Sequence, residues 1–167
     1  KIIKRINHGF IVKAMNSYTL LSKQSISQVG LSYRGKYPTD EDVELIKSML
    51  KSKIDIFGLS FVSKAEDVSN VRKIVGDAII VSKIERKEAV DNFTSIAKES
   101  DVIMVARGDL GLNISISEVP ILQRRLIKKA HDMNKPVIVA TQILESMVNE
   151  TMPTRAEADD IFTAVTE

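Results

Sequence analysis

Three apolar runs in this chain end on polar groups that can do chemistry: Ser82-Lys83-Ile84-Glu85, Ala106-Arg107-Gly108-Asp109-Leu110-Gly111 and Ala140-Thr141-Gln142. A strand points successive side chains to opposite faces, so Lys83 and Glu85 share one face and put a cation and an anion on one surface. Glu85 and Asp109 are carboxylates at the ends of neighbouring runs. One or two carboxylates, with water and phosphate oxygens completing the shell, are how Mg²⁺ is held in phosphoryl-transfer sites, which suits a phosphorylated substrate. The same spacing equally allows a rim salt bridge between Lys83 and Glu85, which would be worth little. Gly108 and Gly111 let backbone N–H groups approach an anion, and a short helix starting there would add its positive end. A plain Gly-rich turn after a strand reads the same way. Thr141 and Gln142 contribute a hydroxyl and an amide, groups that also serve as caps or packing.

The elements that must position these residues follow from periodicity. From Lys1 to about Gln24 apolar and polar residues alternate around an Asn7-His8-Gly9 turn, which predicts a β-hairpin, with a further short strand near Tyr18 to Leu21. Residues 25–38 hold Gly30, Gly35 and Pro38 with little periodicity and read as a linker. From Thr39 onward helices and strands alternate. Thr39 is an N-cap with Val43, Ile46, Met49 and Leu50 at helical spacing behind it. Ser63 and Glu66 read as a capping box for a helix ending near Gly76, with Val68, Val71, Ile74 and Val75 inward. Ala89 to Ala97 predicts a third helix, with Val90, Phe93 and Ile96 on its inner side. Val119 to Met133 predicts a fourth, and Thr154 with Glu157 caps a last one with Ala158, Ile161, Phe162 and Val165 as its buried stripe. Strands are expected at Ile54–Phe61, Ala78–Glu85, Val102–Ala106 and Pro136–Thr141. The first three start near Ile56, Ile79 and Val102, a repeat of 23 residues that fits strand, helix and two short loops.

This alternation implies a parallel sheet, and in parallel β/α folds the carboxyl ends of the strands carry the active site. Asp109 to Glu118 reads as a long loop on that face. Ser60 and Phe61 close the first strand, with Phe61 expected in the core. His8 and His131 lack ligand spacing. Arg124, Arg125, Lys128 and Lys129 read as a solvated helix face.

Composition narrows the classes. Lys and Arg number 24 against 22 Asp and Glu, a net charge of +2 with the basic residues spread along the chain, which is no nucleic-acid signature. The chain has no cysteine, hence no disulfide framework and no thiolate metal site, as fits an intracellular protein. It shows no signal peptide and no apolar run approaching the roughly 20 residues that span a bilayer, so it reads as soluble and cytoplasmic, with no membrane partner. Its 167 residues suffice for one sizeable core but not for a complete α/β barrel of about 250. Lys1 at the start and a helical pattern running into Glu167 read as a piece cut from a longer chain.

Ser82-Lys83-Ile84-Glu85, Ile103-Met104-Val105-Ala106-Arg107-Gly108-Asp109-Leu110-Gly111, Pro136-Val137-Ile138-Val139-Ala140-Thr141-Gln142-Ile143-Leu144-Glu145-Ser146-Met147 and Pro153-Thr154-Arg155-Ala156-Glu157 closely resemble pyruvate kinases in order and spacing. The resemblance implies an α/β fold: a partial (β/α)8 TIM barrel of about four parallel strands, preceded by a short β segment from an inserted lid domain. Residues 1–24 would be the end of the lid, 25–38 a linker and 39–167 the partial catalytic barrel. It implies phosphoryl transfer from phosphoenolpyruvate to ADP, giving pyruvate and ATP in glycolysis, with a homotetrameric parent enzyme. Lys83 falls on the family's catalytic lysine, Glu85 and Asp109 on its Mg²⁺ (or Mn²⁺) ligands, and Gly108 and Asp109 on the backbone that holds the substrate carboxylate. Thr141 falls on the threonine near the face where the enolate is protonated.

The chain departs from the family pattern at Arg86, Ala89, Ser63 and Asn113-Ile114-Ser115, none of which replaces a residue carried over. The family's phosphate-binding arginine, its K⁺ ligands and its Ser-Gly-Glu-Thr motif belong to segments not found among these residues, so the 167-residue chain is expected not to turn over alone. Two other readings are a Mg²⁺-dependent lyase or aldolase of the phosphoenolpyruvate/pyruvate barrels, and a non-catalytic half-barrel whose open strand edges drive assembly.

Overall fold

A computed structural model describes residues 1–17, 19, 21–22 and 35–167. The strand expected near Tyr18 and the linker segment 25–34 lie outside the described residues. The chain begins with an antiparallel hairpin, β1 (Ile2–Ile6) and β2 (Gly9–Val12), closed by the expected Asn7-His8 turn, with Arg5 opposite Phe10. Both strands are largely exposed, and Ile3, Phe10 and Val12 face solvent.

From Thr39 the elements alternate as the periodicity predicts: α1 (Asp40–Lys51), β3 (Ile56–Leu59), α2 (Ala65–Val75), β4 (Ile79–Ile84), α3 (Lys87–Asp91), α4 (Phe93–Glu99), β5 (Val102–Ala106), α5 (Arg107–Asn113), α6 (Val119–Asp132), β6 (Val137–Ala140) and α7 (Arg155–Thr166). A 3-10 turn occupies Glu145–Val148. The four strands form one parallel sheet in the order β3-β4-β5-β6, and it does not close into a barrel. Strands starting at Ile56, Ile79 and Val102 realise the 23-residue repeat. Since all run parallel, their carboxyl ends, Leu59, Ile84, Ala106 and Ala140, line one edge of the sheet, and the pairing of Ala106 with Ala140 brings Arg107 and Thr141 together just beyond it.

The core lies between one face of this sheet and helices α1, α2, α4 and α6, each packed on the next. Phe57, Leu59, Ile80, Ile84, Ile103 and Val105 point into it from the strands and meet Val68, Val71, Phe93, Ile96 and Leu126 from the helices. Burying such side chains contributes roughly 1.5–3 kcal/mol each, the main force that holds the sheet edge rigid. The helix ends obey local chemistry. Thr39 and Thr154 cap α1 and α7 in reciprocal capping boxes with Asp42 and Glu157. Gly76 ends α2 at φ 61°, a left-handed conformation that glycine adopts without steric cost.

Five expectations are corrected. The cap of α2 is built by Asp67, whose carboxylate accepts from the N–H groups of Ser63 and Lys64, and not by a Ser63–Glu66 box. The third helix is split into α3 and α4 at Asn92. Of the loop expected from Asp109 to Glu118, residues 114–118 are irregular but Asp109 to Asn113 belong to helix α5, because Leu110 is driven into the core and outweighs the two glycines. Phe61 is 61% exposed, since φ 59° at that residue swings its side chain out of the strand's path. The stripe on α7 is not buried: Phe162 and Val165 face solvent, because β6 is an edge strand and α7 lies past it with no further element among the described residues to cover that side.

Candidate active site at the carboxyl edge of the sheet

Lys83 and Glu85 do share a face, as their spacing requires. The Lys83 ammonium lies 2.6 Å from Glu85 Oε1 and donates to Ser60 Oγ at 2.8 Å. Glu85 is buried, while the Lys83 side chain keeps 27% of its surface. The two carboxylate oxygens of Glu85 differ. Oε2 accepts the Phe61 N–H at 2.9 Å, whereas Oε1 has no aligned hydrogen-bond donor and is held by charge contact with Lys83 alone. A buried carboxylate oxygen without a hydrogen bond is costly unless another partner takes the lone pair. The expected ion pair thus forms, but in a buried setting and not on a solvated rim.

The second cluster joins β5 to β6. Gly108 N–H donates to Thr141 Oγ1 at 2.9 Å, so the glycine amide expected to face an anion is engaged by the threonine hydroxyl. A Cβ at Gly108 would stand 3.3 Å from that oxygen, so the close approach favours glycine. Thr141 and Gln142 take φ of 67° and 52°, left-handed values that cost non-glycine residues free energy and must be held from outside. Arg107 supplies the hold. Its buried guanidinium donates to the Thr141 carbonyl from Nε and from one terminal nitrogen, to the Gln142 carbonyl from the same nitrogen, and to both Asp160 oxygens from the other. With every nitrogen engaged, Arg107 is a structural clamp. Ser82 is structural too, buried and accepting from Ser100.

Asp109 is exposed in the first turn of α5. A side-chain amide ties it to the first cluster: Asn113 Nδ2 donates to the backbone carbonyls of both Glu85 and Asp109, at 3.1 and 2.9 Å.

Residues 2–167 match the family model described as pyruvate kinase, barrel domain. The chain belongs to the pyruvate kinase family. It is 43% identical over 160 residues to the pyruvate kinase of Thermoplasma acidophilum, covering 93% of this chain and 29% of that protein. Against the Thermotoga maritima pyruvate kinase it is 50% identical over 131 residues, 76% of this chain and 28% of the relative. A plant relative, pyruvate kinase isozyme G, chloroplastic, from Ricinus communis, is 42% identical over 152 residues, 89% of this chain and 36% of its own length. The chain therefore spans about a third of the curated relatives it matches. Membership in the pyruvate kinase family sets aside the lyase and aldolase reading.

Pyruvate kinases in general use Mg²⁺ and K⁺. Among the described residues no three His, Asp or Glu side chains gather into a metal cage. The donor set that is present fits Mg²⁺ in its substrate-bridged form, where few protein carboxylates suffice, with Glu85 Oε1, which has no hydrogen bond and only the Lys83 ammonium against it, as the oxygen a cation would take over.

Three participants escaped sequence reasoning. Ser60 and Asn113 find their partners 23 and 28 residues away, beyond any local pattern. Arg107 sits in a motif whose glycines drew attention to anions, and only the burial of its side chain shows the clamp.

Proposed function

We propose that this chain forms the phosphoenolpyruvate side of a pyruvate kinase active site, in a cytoplasmic, homotetrameric enzyme of glycolysis. Phosphoenolpyruvate, ADP and a proton give pyruvate and ATP. The observation that carries the reading is the Lys83–Glu85 pair at the end of β4, with Glu85 Oε1 buried, without a hydrogen bond and held by the lysine's charge alone.

The Lys83 ammonium stabilises negative charge that grows on the transferring phosphoryl group and on the enolate oxygen. Glu85, through Oε1, and Asp109 would hold Mg²⁺ or Mn²⁺. When bound, that ion neutralises phosphate charge and polarises the enol oxygen. Backbone at Gly108 and Asp109 receives the substrate carboxylate, for which the Gly108 N–H must leave or share Thr141 Oγ1. The Thr141 hydroxyl then stands at the face of the enolate and holds the proton that C3 acquires. K⁺ and most nucleotide contacts fall, by the family resemblance, to segments not among these residues. The hairpin is assigned to the end of the lid domain and residues 39–167 to the barrel. No nucleic acid or membrane partner is proposed, and no helix among the described residues is long and apolar enough to cross a bilayer.

The test is calorimetric titration of Mn²⁺ plus phosphoenolpyruvate into the chain and into Asp109→Ala. Saturable binding weakened at least about tenfold by the substitution is expected, corresponding to loss of one charged ligand. Equal binding by both would overturn the assignment of Asp109. Binding by neither would remove the claim that these residues hold the substrate and metal by themselves.

A further inference from the structure

Ser60 has no role in the reading above, yet it touches the residue at its centre. Among the described residues the Lys83 ammonium has two partners, Glu85 Oε1 and Ser60 Oγ. If Glu85 Oε1 passes to a divalent cation, the ammonium and the cation repel each other, and the Lys83–Glu85 contact is lost. A lysine on a four-carbon stem would then swing toward water unless something else holds it. The neutral hydroxyl of Ser60 is what remains.

The turn after β3 is built for that task. Tyr37 Oη donates to the Ser60 carbonyl at 2.8 Å and fixes the residue from behind. The next N–H, from Phe61, goes to Glu85 Oε2 at 2.9 Å. Consecutive residues thus grip the two members of the ion pair separately, Ser60 the cation through its side chain and Phe61 the anion through its backbone. Phe61 takes φ 59° while its ring is mostly exposed, so burial of the ring does not explain the strained conformation, whereas the grip does.

We infer that Ser60 is a positioning residue for Lys83, holding the ammonium at the strand edge once Glu85 Oε1 is engaged by a divalent cation. The inference rests on the reading of Glu85 as a metal ligand.

Its test reads the lysine directly. In the full 167-residue chain labelled with ¹⁵N-lysine, hydrogen exchange of the Lys83 ammonium is followed by NMR in wild type, Ser60→Ala, Ser60→Thr, Glu85→Gln and Glu85→Gln/Ser60→Ala, with and without Mg²⁺. Glu85→Gln removes the charge partner without needing the metal. On that background Ser60→Ala is expected to speed exchange about tenfold, the worth of roughly one hydrogen bond, while wild type with Mg²⁺ stays protected and Ser60→Thr matches it. Equal exchange in Glu85→Gln and Glu85→Gln/Ser60→Ala would overturn the inference. If Glu85→Gln fails to fold, Ser60→Ala against Ser60→Thr in Mg²⁺ makes the same comparison, and equality again overturns it. No response of Lys83 or Glu85 either to Mg²⁺ alone or to Mg²⁺ with phosphoenolpyruvate would overturn the metal reading, a result distinct from loss of the Ser60 grip.

Discussion

The Arg107 guanidinium donates twice to the backbone carbonyl of Thr141, at 3.1 and 2.8 Å, and so fastens the end of β6 to the start of α5. Thr141 reciprocates by accepting the Gly108 N–H, which makes the contact between the two motifs two-sided. A residue in the left-handed region is held there from the first residue of α5 by a buried cation, whose remaining charge is balanced by Asp160. Arg107→Met is therefore expected to lower stability by about 2–3 kcal/mol. Asp160→Asn should cost about 1 kcal/mol, less because the Asp160 side chain is 38% exposed. Urea unfolding of both variants checks the order. The account of Arg107 as a clamp fails if Asp160→Asn is the more damaging of the two.

Lys83→Met tests the competition at Glu85. Removing the ammonium leaves a buried carboxylate without its counter-charge and should destabilise the metal-free chain by about 2–3 kcal/mol. The same change frees Oε1, so Mn²⁺ affinity, measured by electron paramagnetic resonance, should rise by about tenfold, since the loss of a nearby positive charge favours a second cation. Weaker Mn²⁺ binding in Lys83→Met would show that the lysine does not compete for that oxygen.

Much of the scaffold could be read from the residues because its causes are local or periodic. The first three strands of the parallel sheet repeat every 23 residues, and Thr39 and Thr154 cap helices through partners three residues on. Pairing of Lys83 with Glu85 follows from the two-residue period of a strand. What escaped notice depends on contacts distant in sequence. Helix α5 forms despite Gly108 and Gly111 because Leu110 is buried. Asp67 outcompetes Glu66 for the cap of α2 because its carboxylate reaches both the Ser63 and the Lys64 N–H. Phe61 reads as core by composition, but the turn that serves Glu85 sends it outward. The apolar positions of α7 have the right helical spacing, yet spacing says nothing of what lies opposite, and here Phe162 and Val165 face solvent.

Glu157 gives the fold an acid limb. The Ser146 hydroxyl, the Ser146 N–H, and the Thr154 N–H and hydroxyl all donate to its carboxylate and draw its pKa from 4.5 down to about 2. A folded-state pKa below the unfolded one contributes stability that is complete above about pH 4.5 and is lost as the pH falls through about 2. The link between α7 and the 3-10 turn should therefore loosen in that window. NMR titration of the Glu157 carboxyl carbon checks the midpoint, and Glu157→Gln should remove this part of the acid dependence. A midpoint near 4.5 would contradict the bonding described.

Phe61→Gly should raise stability by about 0.5–1 kcal/mol. Relief of the left-handed strain, about 1–2 kcal/mol, exceeds the entropy that glycine adds to the unfolded chain. Little burial is lost, because the ring is largely exposed. The midpoint of urea unfolding measures it. A fall would mean that the Phe61 ring contributes packing that its exposure does not suggest.

The central claim is that Glu85 and Asp109 together hold a divalent cation beside Lys83. Substoichiometric Mn²⁺ added to the ¹⁵N-labelled chain in the presence of phosphoenolpyruvate tests it most directly, because paramagnetic broadening reports distance from the ion. The account predicts that amides of Phe61, Glu85, Gly108 and Asp109 broaden first, and that Glu85→Gln abolishes the effect at the same Mn²⁺ concentration. Broadening centred elsewhere, or unchanged in Glu85→Gln, would contradict it.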